Sequence, residues 1–174
     1  MYERNYDTAL AYLANPEPEV LQDLRSFAPK SSLRGMTYQL AGQPELAVPE
    51  FRAARIQIEA AIETIHQDAR LFIALGAVLA GLGENDAAVR AAYQAMEMLP
   101  TSRDVITGSF IRSDAIRRVF IPAGAHEVAI AELDAYHAVQ GGRWTIEELL
   151  PGPRLDPIRD DPRFQAVVEK YRRQ

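Results

Sequence analysis

A glycine recurs at a fixed interval along this chain, and that interval limits the possible folds more than any other feature of the sequence. Gly42, Gly83 and Gly124 are separated by 83 − 42 = 41 and 124 − 83 = 41 residues. Each glycine follows a stretch with helical periodicity and precedes another. We therefore predict that one unit of structure occurs three times.

Small and apolar residues follow each glycine at matching offsets. Five residues after it stands an alanine, with further residues four and seven positions beyond: Ala47, Phe51 and Ala54; Ala88, Ala92 and Ala95; Ala129, Leu133 and Tyr136. Positions i, i+4 and i+7 share one face of a helix. Because a small residue lets the preceding helix approach closely, the predicted unit is a helical hairpin.

The pattern predicts an all-α fold, a right-handed α-α superhelix of three hairpins with a C-terminal capping helix. The expected divisions are a half unit at 1–28, repeats at 29–68, 69–109 and 110–142, and a tail at 143–174. Helices are predicted at 2–14, 17–26, 29–41, 45–66, 69–82, 85–98, 111–122, 125–139 and 162–172, with no strand. Pro49 should mark a helix start near Val48 or a kink.

The tail is predicted to cover the stacking face of the last hairpin, which a terminal repeat cannot leave in water. The covering residues should be Phe164, Val167, Val168 and Tyr171. Trp144 follows a Gly-Gly break and is expected to hold its loop against the core rather than to anchor an interface.

The middle unit resembles a tetratricopeptide repeat. The matching residues are Phe72, Leu75, Gly76, Leu79, Ala88, Ala92, Ala95 and Pro100; the first unit matches through Gly35, Tyr38, Ala47, Phe51 and Ala54, and the third through Phe120, Ala129, Leu133 and Tyr136. In the third unit Arg117 replaces the expected glycine. The spacing exceeds the family's 34 residues by 7, which the stretches 56–65 and 101–109 are expected to supply.

A second resemblance rests on 82–83, 98–104 and, above all, the segment Asp156-Pro157-Ile158-Arg159-Asp160-Asp161-Pro162-Arg163-Phe164. These stretches are similar to the C-terminal repeat regions of bacterial signalling proteins that carry a serine/threonine kinase, nucleotide cyclase or winged-helix domain. The chain itself has no motif of those domains. The resemblance implies a fragment of such a protein or a free-standing relative that acts as a non-catalytic interaction or regulatory module.

Composition removes several classes of function. The chain has no cysteine, which excludes disulfides, thiolate zinc sites and cysteine nucleophiles. Its net charge of 19 − 24 = −5 argues against nucleic-acid binding. The longest uncharged run, 71–83, has 13 residues, too few to span a membrane, and the N-terminus does not have the pattern of a secretory signal. We expect a cytoplasmic protein.

The sequence predicts neither an enzyme nor a metal or cofactor site. His66, His126 and His137 lack the short spacing of metal ligands. Asp161 is expected to cap the last helix, with Arg159 and Arg163 balancing the charge of its neighbours Asp156 and Asp160. Motifs of phosphate loops, nucleophile elbows and zinc proteases are absent.

Partner binding is the remaining class, and the first helix of each hairpin would line the concave face. The candidate partner-binding residues are Met36, Gln39, Arg70, Ile73, Ala77, Asp114 and Arg118, with Ser32, Ala80 and Ile111 on the same faces. The Lys, Asn and Arg set that tetratricopeptide domains use to bind a terminal carboxylate is missing. The partner would be a protein or peptide, including an output domain of the same polypeptide. Equally, Ile73 and Ala77 would pack against the chain's own tail or N-terminal helix.

Two other functions stay open on the sequence. One is a structural module for homo-oligomerisation. The other is a small hydrolase or ligand-binding enzyme that uses His137 or the 156–161 segment, which requires a deep pocket where those groups meet.

Overall fold

The computed structural model describes residues 5–15, 17–23, 25–138 and 145–172. Its helices are α1 Tyr6–Leu13, α2 Lys30–Leu40, α3 Pro44–Thr64, α4 Ala69–Gly81, α5 Asn85–Met98, α6 Val105–Asp114, α7 His126–Ala138, α8 Ile146–Leu149 and α9 Pro162–Arg172. A π-helical segment, Ala115–Phe120, continues α6, and Pro153–Ile158 forms a 3-10 helix. The fold is mostly helical, in agreement with the predicted all-α class.

The three glycine turns have the same geometry. The glycine φ angles are +75°, +79° and +73° at Gly42, Gly83 and Gly124, a region where a side chain would be strained. The residue after each glycine donates its N–H to the carbonyl five residues earlier: Gln43 to Tyr38 at 2.9 Å, Glu84 to Leu79 at 2.9 Å and Ala125 to Phe120 at 2.8 Å. This bond closes the end of each first helix. The interval in the sequence thus corresponds to one turn geometry used three times.

Small residues lie where the paired helices cross. Ala47, Ala88 and Ala129 are 2%, 0% and 0% exposed, as expected for residues wedged between helices. A Cβ added at Gly35 would lie 2.8 Å from the Phe51 ring, and one added at Gly81 would lie 2.5 Å from Phe51 Cζ. The buried Phe51 ring therefore sits between a glycine of α2 and a glycine of α4.

The central helix of the structure is α4, which packs against α2, α3, α5, α6 and the π-helical segment. It is buried on nearly all sides: Leu71 and Val78 face the α2–α3 pair, whereas Phe72 and Leu79 face the later helices. One helix thus joins the two hydrophobic clusters of the described residues.

The third helix pair is packed less closely than the first two. At the position where the earlier units have Gly35 and Gly76, it has Arg117 within the π-helical segment. A Cβ at Gly76 would already lie 3.1 Å from the carbonyl oxygen of Ala88. A long side chain at the equivalent crossing therefore requires a greater distance between the two helices. The departure from the glycine pattern therefore coincides with the irregular helix.

The predicted helix at 17–26, and the prediction that the chain has no strand, are wrong. Strands β1 Val20–Gln22 and β2 Phe27–Pro29 pair antiparallel, with Gln22 opposite Phe27. Asp23 closes their turn by accepting hydrogen bonds from the backbone of Arg25 at 2.7 Å and Ser26 at 2.8 Å. The Asp and Ser turn chemistry prevails over the helical composition.

One helix start differs from the predicted one, and one expectation about Pro49 is wrong. Helix α6 begins at Val105, within the stretch expected to be a connection, because Asp104 accepts bonds from the N–H groups of Ile106 and Thr107. Helix α3, predicted at 45–66, begins at Pro44 and contains Pro49, so the alternative of a start near Val48 is wrong. Pro49 is exposed and lies just past the first turn of α3, so the helix loses one backbone hydrogen bond there.

The final helix lies against the last pair. Phe164, Val167 and Val168 are 0%, 8% and 3% exposed, and α9 contacts α7. The Tyr171 hydroxyl donates to the Asp134 carbonyl at 2.9 Å, and Lys170 pairs with the Asp134 carboxylate at 2.7 Å. Trp144 lies outside the described residues, as do the ends of the helices predicted at 2–14 and 125–139.

Among the helices of the described residues, none combines the length and the apolar character that a membrane span needs.

The contact between Gly81 and Phe51 gives a test of the packing. Ala at position 81 would raise helix propensity by about 1 kcal/mol, yet its Cβ would overlap a fully buried ring. We expect Gly81→Ala to lower the free energy of unfolding by about 1–3 kcal/mol in urea titrations. Adding Phe51→Leu should make the Gly81→Ala change less harmful; a Gly81→Ala protein more stable than wild type would contradict the packing.

The role of α9 is testable with one side chain. Phe164→Ala removes a fully buried ring and should lower the free energy of unfolding by about 3–5 kcal/mol. Deletion of 155–174 should lower thermal stability or solubility further. Arg172→Ala, an exposed change in the same helix, should alter stability by less than about 0.5 kcal/mol. An unchanged melting transition after the deletion would show that α9 does not cap the fold.

Candidate functional site

One cavity of the structure is a groove of about 860 Å³. It lies where α4 and α6 begin, where α5 ends, and beside the turn between β1 and β2. Its lining is Arg25, His66, Gln67, Asp68, Ala69, Arg70, Gln94, Met98, Leu99, Arg103, Asp104, Thr107, Phe110 and Ile111. This size is typical of ligand-binding sites in proteins.

Arginines from three different elements surround the groove. The guanidinium of Arg25 lies over the Phe110 ring, 5.0 Å from its centre, which holds the turn of the strand pair against α6. Arg70 donates to the backbone carbonyl of Asp23 in that same turn. Arg103 is exposed in the loop before α6. With Asp68 and Asp104 the lining has a formal charge of 3 − 2 = +1.

Both carboxylates of the groove already have partners in the fold. Asp68 caps α4 and pairs with Arg70, whose hydrogen bonds are the main reason that its pKa is lowered. Asp104 caps α6, and hydrogen bonds from Thr107 lower its pKa. By contrast, among the described residues neither the Arg25 nor the Arg103 guanidinium lies within ion-pair distance of a carboxylate, although the charge of Arg25 acts on Asp23 and helps to lower its pKa. The groove therefore has two guanidinium groups, those of Arg25 and Arg103, that form no direct ion pair with a described carboxylate.

The remaining lining supplies apolar contact and amide groups. Met98, Leu99 and Ile111 offer apolar surface, and Gln67 and Gln94 each carry an amide that donates and accepts hydrogen bonds. In chemical terms, guanidinium groups can bind the carboxylates of an extended acidic peptide, amides can bind its backbone, and apolar side chains can contact its apolar residues.

The predicted partner-binding residues are divided between two places. Arg70 lines the groove. Met36, Gln39, Ala77 and Arg118 line a crevice near the other ends of the inner helices, together with Leu40, Arg117, Pro122 and Arg154. Asp114 pairs with Arg117 and Arg118 beside it. Ile73 is 2% exposed and belongs to the core.

Much of the face expected to bind a partner is covered by the chain itself. Ser32, Ala77, Ala80 and Ile111 are also buried. The β2 strand contacts α2 and α4, while Arg154 of the tail reaches Met36. These contacts agree with the alternative in which the inner face packs against the chain's own segments.

Sequence reasoning missed Arg25, Arg103 and Arg154. The first lies in a turn that was predicted as helix, and the second in a loop treated as a spacer. The signal for Arg25 was the Asp23 to Ser26 turn, flanked by Val20-Leu21 and Phe27-Ala28. No local pattern places Arg154 beside α2, because that contact joins residues 118 positions apart.

The residues considered for an enzyme lie elsewhere. The His137 ring packs between Tyr136 and Tyr171, with ring centres 5.1 and 5.2 Å away. Asp156 pairs with Arg159, and Asp161 pairs with Arg163 at the start of α9. Neither the groove nor the crevice is lined by these side chains.

Comparison of the chain with protein-family models, with curated proteins and with solved structures found no match.

The capping role of Asp68 predicts a pH-dependent effect. Its folded-state pKa lies below the ordinary value, so the carboxylate stabilises the fold at neutral pH, and this contribution fades as the pH falls through the folded-state pKa. Asp68→Asn should lower the free energy of unfolding by about 1–2 kcal/mol at pH 7 and by less near pH 3. Urea titrations at both pH values measure the difference, and an equal loss at both would contradict it.

Proposed function

We propose that the chain is a non-catalytic protein-interaction module whose groove binds an acidic, extended segment of a partner protein. The observation that carries the proposal is the pair of groove arginines, Arg25 and Arg103. Their guanidinium groups form no direct ion pair with a carboxylate of the described residues, while both groove carboxylates cap helices.

The chemistry of the lining favours a peptide. A guanidinium binds a carboxylate through two parallel hydrogen bonds, and Arg25 is already oriented by its stacking on Phe110. The amides of Gln67 and Gln94 suit the alternating donors and acceptors of an extended backbone. Apolar side chains of the peptide would contact Met98 and Leu99.

The repeated turns support a tetratricopeptide-like architecture, a right-handed superhelix, as part of this proposal. Families of stacked helical hairpins commonly use their inner surfaces and edges to bind other proteins. The similarity to C-terminal regions of bacterial signalling proteins makes a regulatory role in the cytoplasm our preferred context. An output domain of the same polypeptide is then one possible source of the acidic segment.

Peptide selection tests this function without knowledge of the partner. A displayed library of short random peptides is selected on the full 174-residue chain, and synthetic copies of the winners are measured by fluorescence anisotropy. We expect enrichment of Asp and Glu. The double variant Arg25→Met and Arg103→Met should bind the winners about tenfold more weakly or worse, because two charge-assisted bonds are lost.

The control is Arg90→Met, which removes an exposed arginine of α5 that does not line the groove. It should retain wild-type affinity, and higher salt should weaken binding to wild type. Selected peptides without acidic residues, or full affinity in the double variant, would contradict the proposal.

A further inference from the structure

Strand β1 is the open edge of the strand pair. Among the described elements it pairs with β2 alone. On its other side β2 lies against α2, α3 and α4, whereas β1 has no extensive contact with a described helix. Val20 and Leu21 are half-buried, and Gln22 at the end of the strand is exposed. An exposed strand edge is a surface that another extended chain can join.

The register of the pair shows which backbone groups of β1 point toward β2. Lys30 donates its N–H to the Glu19 carbonyl at 2.9 Å, and Asp23 donates its N–H to the Ser26 carbonyl at 3.0 Å. Hydrogen-bonded positions alternate along an antiparallel pair. Leu21, midway between Glu19 and Asp23, therefore directs its N–H and carbonyl at β2 as well.

The two residues between these positions point the other way. The N–H and carbonyl groups of Val20 and Gln22 lie on the side of β1 away from β2. In the part of the chain that the structure describes, no backbone bond from a neighbouring element reaches these four groups. Donors and acceptors repeated every second residue are the row that an extended backbone matches.

The far edge of β2 cannot take an added strand. Its last residue, Pro29, has no N–H to donate. Phe27, Ala28 and Pro29 are buried, and α2 and α4 lie against the strand. A segment that extends the strand pair must therefore join β1.

The end of β1 leads into the groove. Arg25, three residues after Gln22, lines the groove and lies over the Phe110 ring. Arg70 donates to the Asp23 carbonyl and holds the same turn against α4. Three residues of extended chain span at most about 11 Å. An extended segment in the groove therefore reaches the free backbone groups of β1 after a few residues.

Charge differs between the two ends of β1. Arg25 lies at the end beside the groove, where the carboxylate of Asp23 accepts hydrogen bonds from the backbone of Arg25 and Ser26. Glu17 and Glu19 precede the strand and are exposed. Acidic residues of a bound segment are therefore favoured at the groove and disfavoured beside Glu19.

We propose that the acidic segment bound in the groove continues along β1 and adds an antiparallel strand to the pair. Its backbone bonds to the N–H and carbonyl groups of Val20 and Gln22, and the residues beside Glu19 are uncharged and β-branched. Because β1 runs toward the turn, the acidic residues come first in the segment. The occupant is taken from the proposed function, on which this inference rests; the strand pairing adds how the segment is held.

NMR observes the pairing in the full chain. The probe is a capped peptide with a block of glutamates followed by alternating threonine and valine, titrated into the 15N-labelled protein. At saturation the amide protons of Val20 and Gln22 should move downfield and exchange with deuterium about tenfold more slowly. The amide of Leu21 already bonds to β2 and should change little. Absence of saturable binding, or unchanged signals of Val20 and Gln22, would overturn the pairing.

The reversed peptide tests the direction of the added strand. Its glutamates follow the threonine and valine block, so an antiparallel strand would place them beside Glu19. We expect weaker binding than for the first peptide. Equal or tighter binding would overturn the antiparallel direction.

A proline at position 22 removes a single outward N–H. Edge strands accept proline where the N–H faces solvent, so the pairing of β1 with β2 should persist, as urea titrations can check. Gln22→Pro should bind the peptide about tenfold more weakly than Gln22→Ala, which loses the same side chain and keeps the N–H.

Modified peptides retain the test if Gln22→Pro fails to fold. Every second residue of the strand directs its N–H at β1, so N-methylation of one alternating set of peptide residues should weaken binding about tenfold. N-methylation of the other set should weaken it much less. Equal affinities for the two sets would overturn the pairing.

The outcomes separate this inference from the proposed function. Binding that needs Arg25 and Arg103 but is equal in Gln22→Pro and Gln22→Ala would overturn the added strand and leave the function in place. Binding that is weakened in Gln22→Pro and unchanged in the Arg25→Met and Arg103→Met double variant would support the strand and contradict the acidic preference.

A second copy of the chain is the competing occupant of the edge. Light scattering over a range of concentrations should give a monomer, because the edge is reserved for the partner segment. A dimer that Gln22→Pro dissociates and the peptide does not would overturn the proposal.

Discussion

The fold depends on the contact of the Phe51 ring with two glycines. Gly35 belongs to the helix paired with α3, and Gly81 lies near the end of the next inner helix, so one ring joins a helix pair to its neighbour. The ring is 1% exposed, and neither glycine position has space for a further carbon. Dispersion and burial at such contacts set the spacing of the helices, and the glycine turns then fix their direction.

This packing places the groove and the crevice at opposite ends of the inner helices. The first residues of α4 and α6 line the groove, whereas the end of α2 and the middle of the π-helical segment line the crevice. Segments outside the helix pairs complete both cavities: the turn after β1 contributes Arg25, and the tail contributes Arg154. The regular part of the fold thus acts as a support, and irregular segments supply the charges.

The repeat could be predicted because its signals are local. The intervals between Gly42, Gly83 and Gly124, and the alanines five residues later, predicted the turns and the buried crossings. The strand pair could not be obtained from helical periodicity, because its two short strands are fixed by hydrogen bonds of Asp23. The start of α6 was missed for the same reason, since its cap, Asp104, lies in a stretch without apolar periodicity.

The candidate sites were only partly predictable. Inner-face positions such as Met36, Ala77 and Arg118 were expected to form a surface, and they do lie together, yet Arg154 of the tail reaches Met36 beside them. Whether an inner face is open depends on contacts between residues distant in sequence. Arginines gather around the groove of a chain whose net charge is −5, so overall composition gave no indication of them.

The packing is tested most directly by NMR, through the chemical shifts and nuclear Overhauser contacts of the two glycines beside Phe51. Because both lie against one aromatic ring, the Hα protons of Gly35 and Gly81 should each show nuclear Overhauser contacts to the Phe51 ring protons, and ring-current displacement of their chemical shifts. Ordinary glycine shifts without contacts from either residue to that ring would contradict the packing on which the fold and both cavities depend.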